Sequence, residues 1–162
     1  MSVTIRPALP ADHDAVWTIL EPTIRAGETY ALPPDGTRAD MLSHWFAPGS
    51  RVFVALDDGM VRGTYVLKAN QRGGGDHVAN AGFMTDPGAT GRGIAHAMGL
   101  HALEAARAAG FAAMQFNFVV STNTRAVALW ERLGFRIVGR LPGAFRHPLH
   151  GPVDALVMHR IL

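Results

Sequence analysis

The sequence contains no cysteine and only one lysine, and charged residues make up 17% of its 162 positions. Without cysteine, a disulfide, a cysteine nucleophile, a thiolate zinc site and an iron–sulfur cluster are all excluded. No stretch approaches the roughly 20 consecutive apolar residues that a membrane helix needs, and the N-terminus lacks the apolar core of a signal peptide. We therefore expect a soluble, cytoplasmic protein without a membrane partner.

Concentrated positive charge is also missing. The 15 basic residues are balanced by 13 acidic ones, and they are scattered singly along the chain. A nucleic-acid-binding surface needs basic residues gathered on one face, so we expect no nucleic-acid partner. The eight histidines show no spacing typical of metal ligands, so we also expect no metal site.

What is present is a hydrophobic fraction of 48%, which indicates a folded core, and a length that suits one domain over residues 1–162. Apolar periodicity and turn signals predict an α/β (α+β) fold, with a mixed, mostly antiparallel sheet of about seven strands and four helices on both faces. The predicted strands cover residues 3–6, 51–56, 61–68, 78–85, 112–120, 135–141 and 153–161. The predicted helices cover residues 10–24, 39–46, 93–109 and 123–133.

A glycine-rich turn joins the strand at 78–85 to the helix that follows it. Such a junction presents backbone N–H groups and a positive helix dipole, which suit an anion. A P-loop is excluded because Ile94 stands where that motif has lysine, and a dinucleotide fingerprint starting at Gly91 is excluded because His96 replaces its last glycine or alanine. The remaining phosphate ligand that we consider is acyl-CoA.

The turn 90–95, Thr-Gly-Arg-Gly-Ile-Ala, resembles the Arg/Gln-x-x-Gly-x-Gly/Ala motif of the GNAT acetyltransferase superfamily, and residues 78–141 resemble its core. The resemblance implies acetyl-CoA as cosubstrate, with its pyrophosphate held by the N–H groups of the turn and its pantetheine arm paired with the preceding strand. Thr90 departs from the usual arginine or glutamine, which leaves the backbone contacts in place. The residues implied in cofactor binding are Phe83, Met84, Thr85, Thr90, Gly91, Arg92, Gly93, Ile94, Ala95, Asn123 and Trp130.

A second motif, residues 123–135, resembles the family's Asn-x-x-Ala-x-x-Leu-Tyr-x-x-x-Gly-Phe. Taken alone, its apolar residues also fit a buried helix stripe, and Asn123 also fits a helix N-cap. Many relatives have tyrosine as a general acid where this chain has Trp130, and an indole has no proton to give near neutral pH. Either water or the ammonium proton of the substrate must then protonate the thiolate.

A narrower resemblance concerns the acceptor. Asn80, Asn117 and Asn123 match asparagines of GNAT members that N-acetylate proline analogues such as azetidine-2-carboxylate. By that resemblance Asn80 and Asn117 face a small-molecule imino or amino acid and position its nitrogen and carboxylate. The strand pattern predicts that Phe118 is buried and that Asn117 points to the opposite face. Both asparagines also fit an alternative role, satisfied by backbone where two strands separate.

Several roles stay open at this stage. Glu28, Asp76 and His77 are candidate bases for the acceptor amine, with Glu28 the candidate on the substrate side. Arg146 lies in the predicted loop between the last two strands, where it is placed to bind a carboxylate. Other possible functions are acetylation of a different amine, such as an amino-acid-like herbicide, a polyamine or a protein N-terminus, and non-catalytic acyl-CoA binding. The scarcity of acidic clusters disfavours a polyamine. The family also implies a homodimer, which exposed terminal strands would favour.

Overall fold

The computed structural model describes residues 2–162, which form one seven-stranded sheet with strand order β1-β2-β3-β4-β5-β7-β6. Strands β4 and β5 are parallel and every other pair is antiparallel, so the sheet is mixed and mostly antiparallel, as predicted. The strands are β1 Thr4–Pro7, β2 Arg51–Asp57, β3 Met60–Ala69, β4 Val78–Thr85, β5 Ala113–Val120, β6 Arg136–His147 and β7 Gly151–Ile161. The α-helices are α1 His13–Ala26, α2 Arg38–Trp45, α3 Ile94–Ala108 and α4 Thr124–Arg132.

The two faces of the sheet carry separate apolar clusters. Helices α1 and α2 bury residues such as Leu20, Ile24 and Trp45 against Val54 and its neighbours on one face. The other cluster joins α3 and α4 to β3, β4, β5 and β7, and its members include Met98. Since each helix pair covers one face, the sheet is sandwiched, which confirms the predicted architecture. No helix within residues 2–162 is both long and apolar enough to cross a membrane.

The hairpin between β2 and β3 forms as its sequence predicts. Asp58 and Gly59 both have positive φ, at 51° and 75°, which is the backbone pattern of a tight two-residue hairpin turn. This hairpin lies close to the glycine-rich turn, because the guanidinium of Arg92 contacts the carboxylate of Asp57 at 2.8 Å.

Strands β4 and β5 form a fork. They pair at only two positions, Val78 with Ala113 and Ala79 with Met114, and then separate. Beyond that point the inner edge of β4 faces a gap instead of a neighbouring strand. We call this gap the β4–β5 fork, and the two cavities of the candidate site lie on either side of it.

The structure corrects the predicted C-terminal loop. Strand β6 runs through Pro142 and Gly143 to His147, so only residues 148–150 connect it to β7. Register shifts near Pro142 and Gly143 absorb their geometry without ending the strand. The segment tolerates proline because β6 is an edge strand.

The structure also corrects two details nearer the N-terminus and in β5. Residues Pro10–Asp12 form a 3-10 turn, and the α-helix itself begins at His13. Strand β5 shifts register between Phe116 and Val119, so the predicted alternation breaks there. Phe118 is therefore only partly buried, while Val119 is 9% exposed.

Candidate active site

The backbone groups that β4 offers to the fork follow from strand alternation. The carbonyl of Val78 accepts from Asn70 on the β3 side, whereas the carbonyl of His77 accepts from Ala112 on the β5 side. Backbone groups of successive strand residues point to opposite edges, so those of Phe83 and Thr85 face the fork. The backbone of Met84 points to β3 instead, which corrects its predicted pairing with pantetheine.

The turn after β4 is held by Asp86. Its Oδ1 accepts from Gly88 N at 2.9 Å, and its Oδ2 accepts from the guanidinium of Arg62 at 2.6 Å. These two contacts, the backbone bond first, hold the pKa of the Asp86 carboxyl below its ordinary value. The carboxylate thus fixes the start of the turn at neutral pH.

Glycines give the turn its shape. Gly91 and Gly93 have φ of 84° and 77°, a region that other residues adopt only with strain. Gly93 is also the N-cap of α3, and no side chain caps that helix. A Cβ built on either glycine would meet nothing within 4 Å, so open space lies beside the turn. Uncapped N–H groups at a helix start, next to open space, fit a diphosphate.

The two polar side chains of the turn brace it. Thr90 Oγ1 donates to the carbonyl of Pro87 at 3.0 Å, and the guanidinium of Arg92 lies 2.8 Å from the buried carboxylate of Asp57. Both side chains are therefore engaged with the protein itself. The backbone of the turn, which the resemblance implies holds the pyrophosphate, lies beside open space at Gly91 and Gly93.

A cavity of about 720 Å³ connects this turn to the fork. Its lining brings together most of the residues predicted to bind the cofactor: Phe83, Met84, Thr85, Thr90, Gly91, Gly93, Ile94, Ala95, Asn123 and Trp130. Arg92 is absent from the lining because its side chain turns toward the β2–β3 hairpin. We call this space the cofactor cavity.

Two residues of the second motif lie at the boundary of the cavity. Asn123 Oδ1 accepts from Ala126 N at 3.4 Å, so its alternative role as an N-cap is real. Trp130 is 7% exposed, and its ring centroid lies 4.8 Å from those of Phe83 and Phe116. An aromatic cluster thus fills the floor of the fork.

A second cavity, of about 420 Å³, opens on the other side of the fork, and we call it the acceptor cavity. Asn80 and Asn117 both line it. Asn80 Nδ2 donates to the carbonyl of Gln115 at 3.0 Å, just beyond the last paired residues of β4 and β5. Within residues 2–162 no group donates to Asn80 Oδ1, so that atom is left for the cavity.

Asn117 is held by two neighbours. Its Nδ2 donates to Asn70 Oδ1 at 2.6 Å, and its Oδ1 accepts from Gln115 Nε2 at 3.0 Å. Both of its amide atoms are thus already engaged, in contrast to those of Asn80. These two hydrogen bonds fix the orientation of the Asn117 side chain, which forms part of the cavity wall.

Four other predicted residues lie outside the acceptor cavity. Arg146 is exposed on β6 and lines neither cavity, because the predicted loop is a strand. Asp76 and His77 line neither cavity as well, and Glu28 lines the cofactor cavity. These positions remove Arg146 from the predicted carboxylate site and leave the predicted bases away from the acceptor.

Three residues that the sequence analysis missed lie in the acceptor cavity: His44, Lys68 and Tyr30. Lys68 is the cross-strand partner of Asn80, so alternation along β3 was a signal that could have placed it. Desolvation, and then the nearby Lys68, lower the pKa of His44, which keeps its imidazole neutral near pH 7. The Tyr30 hydroxyl accepts from Phe83 N at 2.7 Å and donates to Phe83 O at 3.0 Å.

Comparison with known proteins agrees with this geometry. The model of the acetyltransferase (GNAT) family matches residues 14–135. The chain therefore belongs to the GNAT acetyltransferase family. This confirms the predicted superfamily, fold and acyltransferase class, with acetyl-CoA as the cosubstrate.

Individual relatives support the same placement. A GCN5-related N-acetyltransferase from Kribbella flavida is 44% identical with a TM-score of 0.94, over 99% of this chain and 98% of that one. A phosphinothricin acetyltransferase from Sinorhizobium meliloti, solved with acetyl-CoA, is 26% identical with a TM-score of 0.88, over 100% and 89%. The N-acetyltransferase aca1 of Schizosaccharomyces pombe is 35% identical over 96 residues, which are 59% of this chain and 46% of that protein. The match thus spans about half the length of this curated relative.

Proposed function

We propose that this protein transfers the acetyl group of acetyl-CoA to the nitrogen of a small imino or amino acid. The observation that carries the proposal is the composition of the acceptor cavity. Lys68 and His44 line it together with Asn80 and Asn117, and its lining within residues 2–162 includes no aspartate or glutamate. A cationic group beside neutral amides favours an acceptor that bears a carboxylate and disfavours a polyamine.

The cofactor cavity has the features that acetyl-CoA requires. The N–H groups at the start of α3 would hold the diphosphate, and the backbone of Phe83 and Thr85 would pair with the pantetheine arm. When bound, acetyl-CoA supplies an electrophilic thioester carbon. Phe83 N–H faces the fork, where it would stabilise negative charge on the thioester oxygen during attack.

On the acceptor side, Asn80 and Asn117 would position the substrate and Lys68 would bind its carboxylate, in place of the predicted Arg146. An asparagine cannot take the ammonium proton, so a base is needed. His44 is the base that we propose, because its lowered pKa leaves it neutral and it lines the same cavity. The Trp130 indole supplies no proton to the thiolate, so water or the substrate ammonium does so.

Two further parts of the proposal concern the whole chain. We propose that residues 1–162 act as one domain in the cytoplasm. We also propose a homodimer, supported by the exposed apolar residues Ile137, Val138 and Leu141 on the edge strand β6.

An assay of thiol release tests the reaction with a panel of matched amines. Azetidine-2-carboxylate and proline are compared with azetidine and pyrrolidine, which lack only the carboxylate, and phosphinothricin and an N-terminal peptide represent the alternative acceptors. We expect release with the carboxylate-bearing members. No release with any amine, combined with a rise in melting temperature on adding acetyl-CoA, would instead indicate a binding domain.

The variant Lys68→Met tests the acceptor site directly. We expect kcat/KM for the carboxylate-bearing amine to fall about tenfold, because a charge-assisted hydrogen bond is lost from a partly solvated group. The KM for acetyl-CoA is expected to stay the same. Arg146→Met serves as the control, and an equal loss in that variant would remove Lys68 from the proposed role.

The pH dependence of kcat/KM tests the proton transfer. The acceptor amine must lose its proton before attack, and each pH unit below its pKa costs about 1.4 kcal/mol. We therefore expect activity to rise between about pH 6 and 9, as the free amine becomes more abundant. A flat profile over this range contradicts the proposal that an uncharged amine attacks.

A further inference from the structure

The hydroxyl of Tyr30 holds both backbone groups of one residue. It accepts the N–H of Phe83 at 2.7 Å and donates to the carbonyl of the same residue at 3.0 Å. Strand alternation places both of these groups at the fork. They are the same two groups that the proposed function gives to the thioester and to pantetheine.

Tyr30 also lies where the two cavities meet. It lines both of them, and it belongs to the connector between α1 and α2. Its ring centroid is 6.3 Å from that of Trp45, and a Cβ on Gly82 would lie 3.0 Å from its hydroxyl oxygen. The fit is close enough that the absence of a side chain at Gly82 lets the hydroxyl reach Phe83.

We propose that Tyr30 is a positioning residue. In the free enzyme its hydroxyl is hydrogen-bonded to the N–H and the carbonyl of Phe83, and it releases both groups when acetyl-CoA binds. The inference rests on the proposed function of the cofactor cavity. Once displaced, the ring turns with its hydroxyl toward the acceptor side of the fork, where it already lies beside Trp45. Binding of acetyl-CoA therefore reshapes the acceptor cavity before the amine enters.

The protonation of Tyr30 agrees with this role. Burial raises the pKa of its hydroxyl, so the group keeps the proton that it donates to Phe83 O. A neutral hydroxyl can exchange its two backbone bonds for others without leaving a buried charge. The exchange therefore involves only hydrogen bonds.

The variant Tyr30→Phe removes the hydroxyl and keeps the ring. We expect its Kd for acetyl-CoA, measured by calorimetry, to be about tenfold lower than that of the wild type, because two competing hydrogen bonds are gone. Adenosine 3′,5′-bisphosphate, which lacks the pantetheine arm, is expected to bind both proteins equally. Tyr65→Phe is the matched control, because the other tyrosine lines neither cavity and its hydroxyl bonds to His101 Nδ1 at 2.7 Å.

The outcomes separate this inference from the proposed function. If wild type and Tyr30→Phe bind acetyl-CoA equally, or if the variant binds it more weakly, the inference is overturned and the proposed function is not. If neither protein binds acetyl-CoA, both are overturned. Should Tyr30→Phe not fold, Gly82→Ala pushes the hydroxyl away from Phe83 and is expected to lower the Kd for acetyl-CoA several-fold; an unchanged or raised Kd contradicts the inference.

Discussion

The cofactor cavity and the acceptor cavity are built in different ways. The first is made largely from backbone, through two glycines of positive φ, an uncapped helix start and the open edge of β4. The second is made from side chains on several separate segments, including His44 on α2, Lys68 on β3 and Asn117 on β5. They meet at the fork, where Tyr30, Phe83 and Trp130 line both.

This difference explains which cavity can be recognised from sequence. A backbone site depends on a short run of residues whose conformation is local, so the run carries its own signature. A side-chain site depends on distant residues that only the folded sheet brings together. We therefore expect substitutions in the turn to affect acetyl-CoA whatever the acceptor, and substitutions in the acceptor cavity to discriminate among acceptors.

The largest effect is expected for Gly93→Ala. A side chain at a φ of 77° is strained, and its Cβ enters the space beside the helix start. We expect acetyl-CoA to bind about 30-fold more weakly, because the Cβ takes space beside the helix start and the turn relieves a strain of about 1–2 kcal/mol by leaving the conformation that presents its N–H groups. Calorimetric titration with acetyl-CoA measures this change.

Gly110→Ala is the control for that variant. Gly110 has a φ of 87° and follows α3 at its other end, outside both cavities. The backbone strain is the same, so the loss of stability should be similar while the affinity for acetyl-CoA stays unchanged. Equal weakening in both variants would mean that strain, not the turn, determines affinity.

A smaller effect is expected for Asn80→Ala. The change removes an amide that spans the fork to Gln115 and whose Oδ1 points to the acceptor. We expect kcat/KM for the acceptor to fall about tenfold, as for the loss of one or two oriented hydrogen bonds, with the KM for acetyl-CoA nearly constant. Asn117→Ala is expected to have a weaker effect, because its amide is already engaged by Asn70 and Gln115. The reverse order would contradict our assignment.

The smallest effect on activity is expected for Asp12→Asn. Asp12 lies in the N-terminal half of the chain, which also supplies part of the acceptor cavity. Asp12 is buried and accepts two bonds from Arg6, at 2.7 and 3.0 Å, and one from Leu9 N at 2.7 Å. We expect a loss of about 1–3 kcal/mol in the free energy of unfolding at pH 7. Neither substrate constant should change, since Asp12 lines neither cavity.

Acidification provides the check on that variant. The bond to Arg6, above all, holds the pKa of Asp12 below its ordinary value. A group with a lowered pKa in the folded state stabilises the protein fully above the unfolded pKa of about 4, and the contribution disappears as the pH falls through the folded pKa. The stability difference between wild type and Asp12→Asn should therefore shrink below about pH 4, in urea titrations at several pH values.

Some parts of the fold and of the candidate site could be predicted from the sequence, and others could not. Strand β4 was predicted with its observed bounds and the turn from Asp86 to Gly93 was placed correctly, because Gly91 and Gly93 signal their own conformation. The extension of β6 was missed because Pro142 and Gly143 usually end a strand, and only an edge position permits them. Tyr30 was missed because its neighbour in space, Phe83, is 53 residues further along the chain. Lys68 was missed because its pairing with Asn80 depends on the register between β3 and β4.

The fork has a mechanical consequence. Only two residue pairs fasten β4 to β5, so the sheet has a seam across its middle, with β1 to β4 on one side and β5 to β7 on the other. A ligand that binds in this seam adds hydrogen bonds between the two strands that share the fewest paired residues. It therefore stabilises the sheet as well as taking part in the reaction. We expect amide protons along this seam to exchange slowly only while the cofactor is held.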